Sequence, residues 1–167
     1  MDIISHALWG GVAFGRTNRA RFLAAGSVSI LPDLLTEGLF GVLLFLGIGN
    51  MPGWENGHPN ITDYPLFAQN LYSLTHSLLI FAVVFGIAFL IYKKPIWPLA
   101  GWGLHILIDI PTHSRALFPT PFLWPISSFT FDGIPWHTPI ILTLDVILLG
   151  LACILWLYPR FRKNRPV

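Results

Sequence analysis

The hydrophobic residues of this chain fall in long runs, and the polar residues interrupting them are few. Residues 71–92 are 22 positions without a formal charge, and residues 138–158 are 21 with Asp145 alone. Each run meets the roughly 20 residues that a helix needs to cross about 30 Å of hydrocarbon. Residues 22–49 make a longer apolar stretch broken by Pro32, Asp33 and Glu37; residues 95–110 are shorter and open with prolines, and residues 3–14 are shorter still. The pattern predicts an all-α fold, a multi-pass transmembrane helical bundle with about five hydrophobic segments, some short or broken. One integral membrane domain takes in residues 1–167, ending in a basic cytoplasmic tail at 159–167.

Composition agrees. Hydrophobic residues are 54% of the chain and charged ones 11%, with a mean hydropathy of +0.65, whereas soluble domains carry about 25% charged residues. The N-terminal segment lacks the basic start of a signal peptide, and His6 breaks its apolar stretch, so it is expected to belong to the mature protein. The single Cys153 allows no intramolecular disulfide.

Nine of the ten basic residues form three groups: Arg16, Arg19 and Arg21; Lys93 and Lys94; Arg160, Arg162, Lys163 and Arg165. The positive-inside bias places these groups in the cytoplasm and the loops 50–70 and 111–137 on the opposite side. The C-terminal run reads as a membrane anchor, with no nucleic-acid role. The outer loops hold Trp54, Glu55, His58, Trp124, Trp136 and His137. An interfacial aromatic belt accounts for most of the tryptophans, and both histidines are expected to be exposed rather than functional.

The polar residues inside the apolar runs are metal-ligand types: His6, Asp33, His76, His105 and Asp109. At about 1.5 Å per helical residue, their distances along the chain from the basic groups place them about 15–25 Å from the cytoplasmic edge. A shared depth is not expected of scattered core histidines. Imidazoles and carboxylates in hydrocarbon cost several kcal/mol unless paired, wetted or bound to an ion.

His105 and Asp109 are four apart and so share a helix face, the spacing by which two side chains meet one cation. A local hydrogen bond in a bundle core is the alternative. Glu37 lies one turn beyond Asp33, as a further ligand or a base; His113 continues the 105–109 spacing past Pro111 and is expected either to support a ligand or to lie on the substrate side. Asp2 is expected to be terminal and hydrated, and Asp145 hydrated or paired. Asn60-Ile61-Thr62 fits the glycosylation sequon.

Taken in order, Ser5-His6-Ala7, Leu31-Pro32-Asp33, Thr75-His76-Ser77-Leu78-Leu79, His105 to Asp109 and Phe122-Leu123-Trp124-Pro125 resemble the predicted membrane-bound metal-dependent hydrolases. That family is distantly similar to the zinc-dependent phospholipase C and P1 nuclease group. The resemblance covers about residues 1–130 and implies His6, Asp33, His76, His105 and Asp109 as ligands. Leu71-Tyr72-Ser73 stands where many members have His-Arg-Gly, and Leu35 where many have a second acid. The departures favour one or two Zn²⁺ ions over three.

The expected function is metal-dependent hydrolysis of a phosphoester, lipid or lipid-linked, at a site opening to the non-cytoplasmic face of a prokaryotic cell membrane. Glu37 or Asp33 is the candidate base, and Arg115 the candidate anion-binding group. A small metal or proton transporter and a purely structural membrane protein are the alternatives. The apolar residues 83–91 and 148–152 offer a transporter no polar path to the cytoplasm.

Overall fold

The computed structural model describes residues 1–16, 18–48 and 61–163, with side chains described as far as residue 157. Trp54, Glu55, His58, Asn60 and Arg165 therefore lie outside the described residues. Seven α-helices follow one another: α1 (Ile3–Phe14), α2 (Arg19–Asp33), α3 (Leu39–Phe45), α4 (Leu66–Thr75), α5 (Leu78–Tyr92), α6 (Ala100–Thr112) and α7 (Pro139–Lys163). Among the described residues there is no strand.

Local chemistry sets the boundaries. Asp2 caps α1, its Oδ1 accepting the backbone N–H groups of Ile4 and Ser5 at 3.0 and 2.9 Å. Asp2, expected to be terminal and hydrated rather than a ligand, thus has a capping role. Asn18 caps α2 through the Arg21 N–H at 2.8 Å, and Ser77 caps α5 through the Ile80 N–H at 3.2 Å. Pro32 has no N–H to give the helix. A π-helical turn, Leu34–Gly38, follows it, and the Thr36 hydroxyl donates back to the Pro32 carbonyl at 2.8 Å. Such π turns recur at functional sites.

α2 is the centre of the bundle, packed on α1 and on α6. Small residues bring these helices together. A Cβ on Gly101 would lie 2.6 Å from the Ala25 carbonyl, and one on Gly26 would lie 2.8 Å from the Ala7 carbonyl. Packing through small residues is how helices approach where lipid removes the hydrophobic drive between them.

Two helical stretches, Arg19–Phe45 and Pro139–Leu157, are long and apolar enough to cross a membrane, and a third counts if α4 and α5 form one bent span. The chain thus has the character of a membrane protein. About five segments were expected, and two or three meet the length and apolarity of a span; α1 and α6 have 12 and 13 residues. At 1.5 Å per residue they reach only about 18–20 Å, short of about 30 Å of hydrocarbon. α5 has no buried residue, and α7 is largely exposed along its apolar length.

The loop between α6 and α7 folds back on the helix ends. Backbone bonds join Gly133 to His113, Ile134 to Pro111 and Trp136 to Thr112 at 2.9–3.0 Å. Within this loop the Trp124–Pro125 peptide is cis.

Candidate metal centre

Four side chains from α2, the α4–α5 joint and α6 converge. One ligand atom each of Asp33, His76, His105 and Asp109 lies within 4.8 Å of all the others. Asp33 is the last residue of α2, on the face that the following π turn continues with Glu37. His105 and Asp109 are one turn apart on α6. Their helical spacing does what it predicts: His105 Nε2 sits 3.0 Å from Asp109 Oδ2.

His76 owes its place to a break. α4 ends at Thr75, α5 begins at Leu78, and the two helix axes are bent by 58°. The turn is pinned from outside. The Ser77 hydroxyl donates to the Trp124 carbonyl at 2.5 Å and the Leu78 N–H donates to the Phe122 carbonyl at 3.0 Å. Trp102 Nε1 donates to the Thr75 carbonyl at 2.6 Å, and the Tyr72 ring stacks on the imidazole at 4.0 Å. Phe122 to Pro125, distant in sequence, is thus the strap that holds the His76 joint.

The tautomer of His76 follows from its neighbours. Nδ1 lies 3.1 Å from the Tyr72 carbonyl, which can only accept, so Nδ1 carries the proton. Nε2 then presents a lone pair inward, 3.4 Å from Asp33 Oδ1, 3.8 Å from Asp109 Oδ2 and 3.1 Å from His105 Nε2. His105 Nε2 is also 3.4 Å from Asp33 Oδ1. Two carboxylate oxygens and two imidazole nitrogens, the His76 lone pair among them, face one another in a buried place. A cation is the group that satisfies such a donor set.

The opposite oxygen of Asp109 has separate neighbours. Oδ1 lies 3.0 Å from His6 Nε2, 3.3 Å from His113 Nδ1 and 2.5 Å from the Met1 amine. His6 stacks on His105 with ring centroids 3.8 Å apart. His6 therefore reaches the centre through Asp109 and lies outside the group of four. His6, His76, His105 and Asp109 are essentially inaccessible, while Asp33 is 17% exposed. His6 Nδ1 and His105 Nδ1 are buried without a hydrogen-bond partner.

A cavity of about 560 Å³ opens beside the group, lined on its polar side by Asp2, Asp33, Glu37, His76 and His113. Leu34, Leu117, Phe118 and Trp136 supply apolar wall, and His137 also lines it. Glu37 thus faces the same space as Asp33 without joining the ligand group. His137, expected merely to be exposed, is exposed and stands at this cavity.

Arg115 is elsewhere. Its guanidinium donates to the Thr130 carbonyl from Nε at 3.2 Å and from Nη2 at 2.8 Å, lies 6.0 Å from the Phe129 ring centroid, and does not line the cavity. Tyr72 and Trp102 are contributors that sequence reasoning passed over. Tyr72 precedes His76 by four residues, a helical spacing that places the two on one face. In comparisons with protein-family models, curated proteins and solved structures, nothing matches this chain.

Proposed function

We propose that this chain is a membrane-embedded hydrolase that holds a divalent metal, most simply Zn²⁺, on Asp33, His76, His105 and Asp109. The observation that carries this reading is the meeting of acceptor atoms within 4.8 Å, buried beside an open cavity. Asp33 and His76 belong both to the ligand group and to the cavity wall, so an ion held there would be reached from the cavity. When bound, the ion supplies Lewis acidity and lowers the pKa of water.

The protein's own groups do the rest. Glu37, on the cavity wall one turn past Asp33, takes the proton of the attacking water on its carboxylate. Tyr72 and Thr75 fix the His76 ring. His113, held by its Nδ1 3.2 Å from the Asp109 carbonyl, presents its ring to the cavity. Arg115, engaged by the loop, is withdrawn from the anion-binding role.

The substrate in this reading is a phosphoester carried by a membrane lipid or a lipid-linked molecule. The motif order supports the phosphoester, and the apolar wall of Leu34, Leu117, Phe118 and Trp136 supports the lipid. The positive-inside distribution supports a cavity open to the non-cytoplasmic side.

The test is metal analysis and turnover on protein purified in detergent. Wild type is expected to hold zinc, and His76→Ala and Asp109→Ala to lose it. Unchanged metal in both variants would sink the centre. A phosphoester panel is expected to be hydrolysed, with loss on chelation and recovery on adding zinc. Metal-loaded protein inert toward every ester would sink the hydrolase, leaving a metal-binding protein.

A further inference from the structure

Asp145 is the one acid within α7, and the centre described above makes no use of it. It is 6% exposed, in a helix whose neighbouring positions Leu144, Val146 and Ile147 are exposed hydrophobics. Both of its oxygens are engaged by α1. Oδ2 accepts from the Ser5 hydroxyl at 2.7 Å, and Oδ1 accepts from Trp9 Nε1 at 2.7 Å. Ser5 and Trp9 are one turn apart and share a face of α1, with His6 immediately after Ser5. α7 packs on α1, and farther along its Trp156 meets Phe22 of α2, with centroids 4.8 Å apart.

A carboxylate on an apolar helix is costly unless bonded, and here every bond it makes goes to α1. The face of α1 that Asp145 grips lies beside the one carrying His6 to Asp109. We propose that Asp145 is a positioning residue for the metal centre: from α7 it fixes the Ser5–Trp9 face of α1 and so sets His6 against Asp109. This inference rests on the metal-centre reading.

The proton count sharpens the test. The Ser5 hydroxyl is 2.7 Å from Asp2 Oδ2 as well as from Asp145 Oδ2, and one hydroxyl proton cannot serve both. Asp145→Asn keeps an acceptor for Trp9 and offers an N–H to the Ser5 oxygen, freeing the hydroxyl proton for Asp2. Asp145→Leu removes every contact at similar size. The conservative change should therefore preserve the clasp, and the apolar one should break it.

The experiment is titration of the full-length protein in detergent with Co²⁺, read by its visible absorption, which reports both affinity and coordination geometry. Asp145→Leu is expected to weaken Co²⁺ binding at least about tenfold, as loss of supporting contacts around ligands does, and to alter the absorption bands. Asp145→Asn is expected to match wild type. In a His6→Ala background, Asp145→Leu should cost nothing further, because its effect passes through His6.

An Asp145→Leu protein that binds Co²⁺ as wild type does would overturn the proposal. So would a loss of equal size in the His6→Ala background, which would mark a merely structural effect. Wild type that takes up no Co²⁺ overturns the metal centre itself, and this inference with it. If Asp145→Leu does not purify as a single species, Trp9→Phe and Ser5→Ala, each removing one donor, carry the same cycle.

Discussion

Histidine carries one proton between two nitrogens, and at His76 the fold decides which. Commitment of Nδ1–H to the Tyr72 carbonyl leaves Nε2 as a lone pair among carboxylate oxygens, and this single choice turns a polar cluster into a donor set. Glu37 lies outside that set yet on the same cavity, so the proposed mechanism assigns it proton transfer and leaves metal holding to the other four. Glu37→Gln is accordingly expected to keep its zinc while kcat falls by about 10²–10⁴-fold, the usual worth of a general base. Equal turnover by the variant and wild type would remove Glu37 from the mechanism. Much at this scale was legible in the chain. The four-residue spacing of His105 and Asp109 sufficed to place both on one face, and metal-ligand types inside apolar runs marked Asp33 and His76. Arg115 stands off the cavity on the Thr130 carbonyl, a placement set by how the loop folds and not visible in the sequence. His6 was legible as a member of the cluster, but its attachment to the outer oxygen of Asp109 depends on how α1 packs.

At the level of elements, the decisive feature is a helix that stops and restarts at His76. Sequence shows residues 71–92 as one uncharged run, and hydrophobicity alone cannot reveal a 58° bend within it. The bend is stabilised by Ser77, which caps α5 and also donates to the Trp124 carbonyl. Ser77→Ala is expected to cost about 1 kcal/mol or more, since a cap is worth about that much and its second bond is lost too. A lowered melting temperature with weakened metal binding is the expected reading, with Ser77→Thr close to wild type. Melting and metal affinity that do not move would show that the strap is dispensable. The Phe122-Leu123-Trp124-Pro125 motif gains a physical reason here: its backbone carbonyls hold the joint. The capping residues Asp2 and Asn18 are of the kind that marks helix starts in sequence, whereas the shortness of α1 and α6 emerged only from where their turns end.

For the whole molecule, a small polar centre draws Asp33 from one long apolar stretch, His76 from the joint of the bent pair, and His105 and Asp109 from the short α6. Hydropathy was a sound guide to class and a poor one to span count, because it registers apolar character and not how far a helix runs before it turns. The distribution of Lys and Arg makes a prediction of orientation that is independent of the site. In a Cys153→Ser background, Lys94→Cys is expected to react with a membrane-impermeant maleimide only from the cytoplasmic side, and Ser128→Cys only from the other. The reverse pattern would put the cavity on the cytoplasmic face and discard outer-leaflet lipids as substrates. The donors Asp33 and Asp109 are supplied by helices far apart in sequence, with the His76 joint between them along the chain. A nascent chain still lacking α6 therefore owns only half of the donor group. In the metal-centre reading, capture of an ion waits until translation has passed Asp109 and α6 has lodged against α2, which makes metal loading a late event in the biogenesis of the protein.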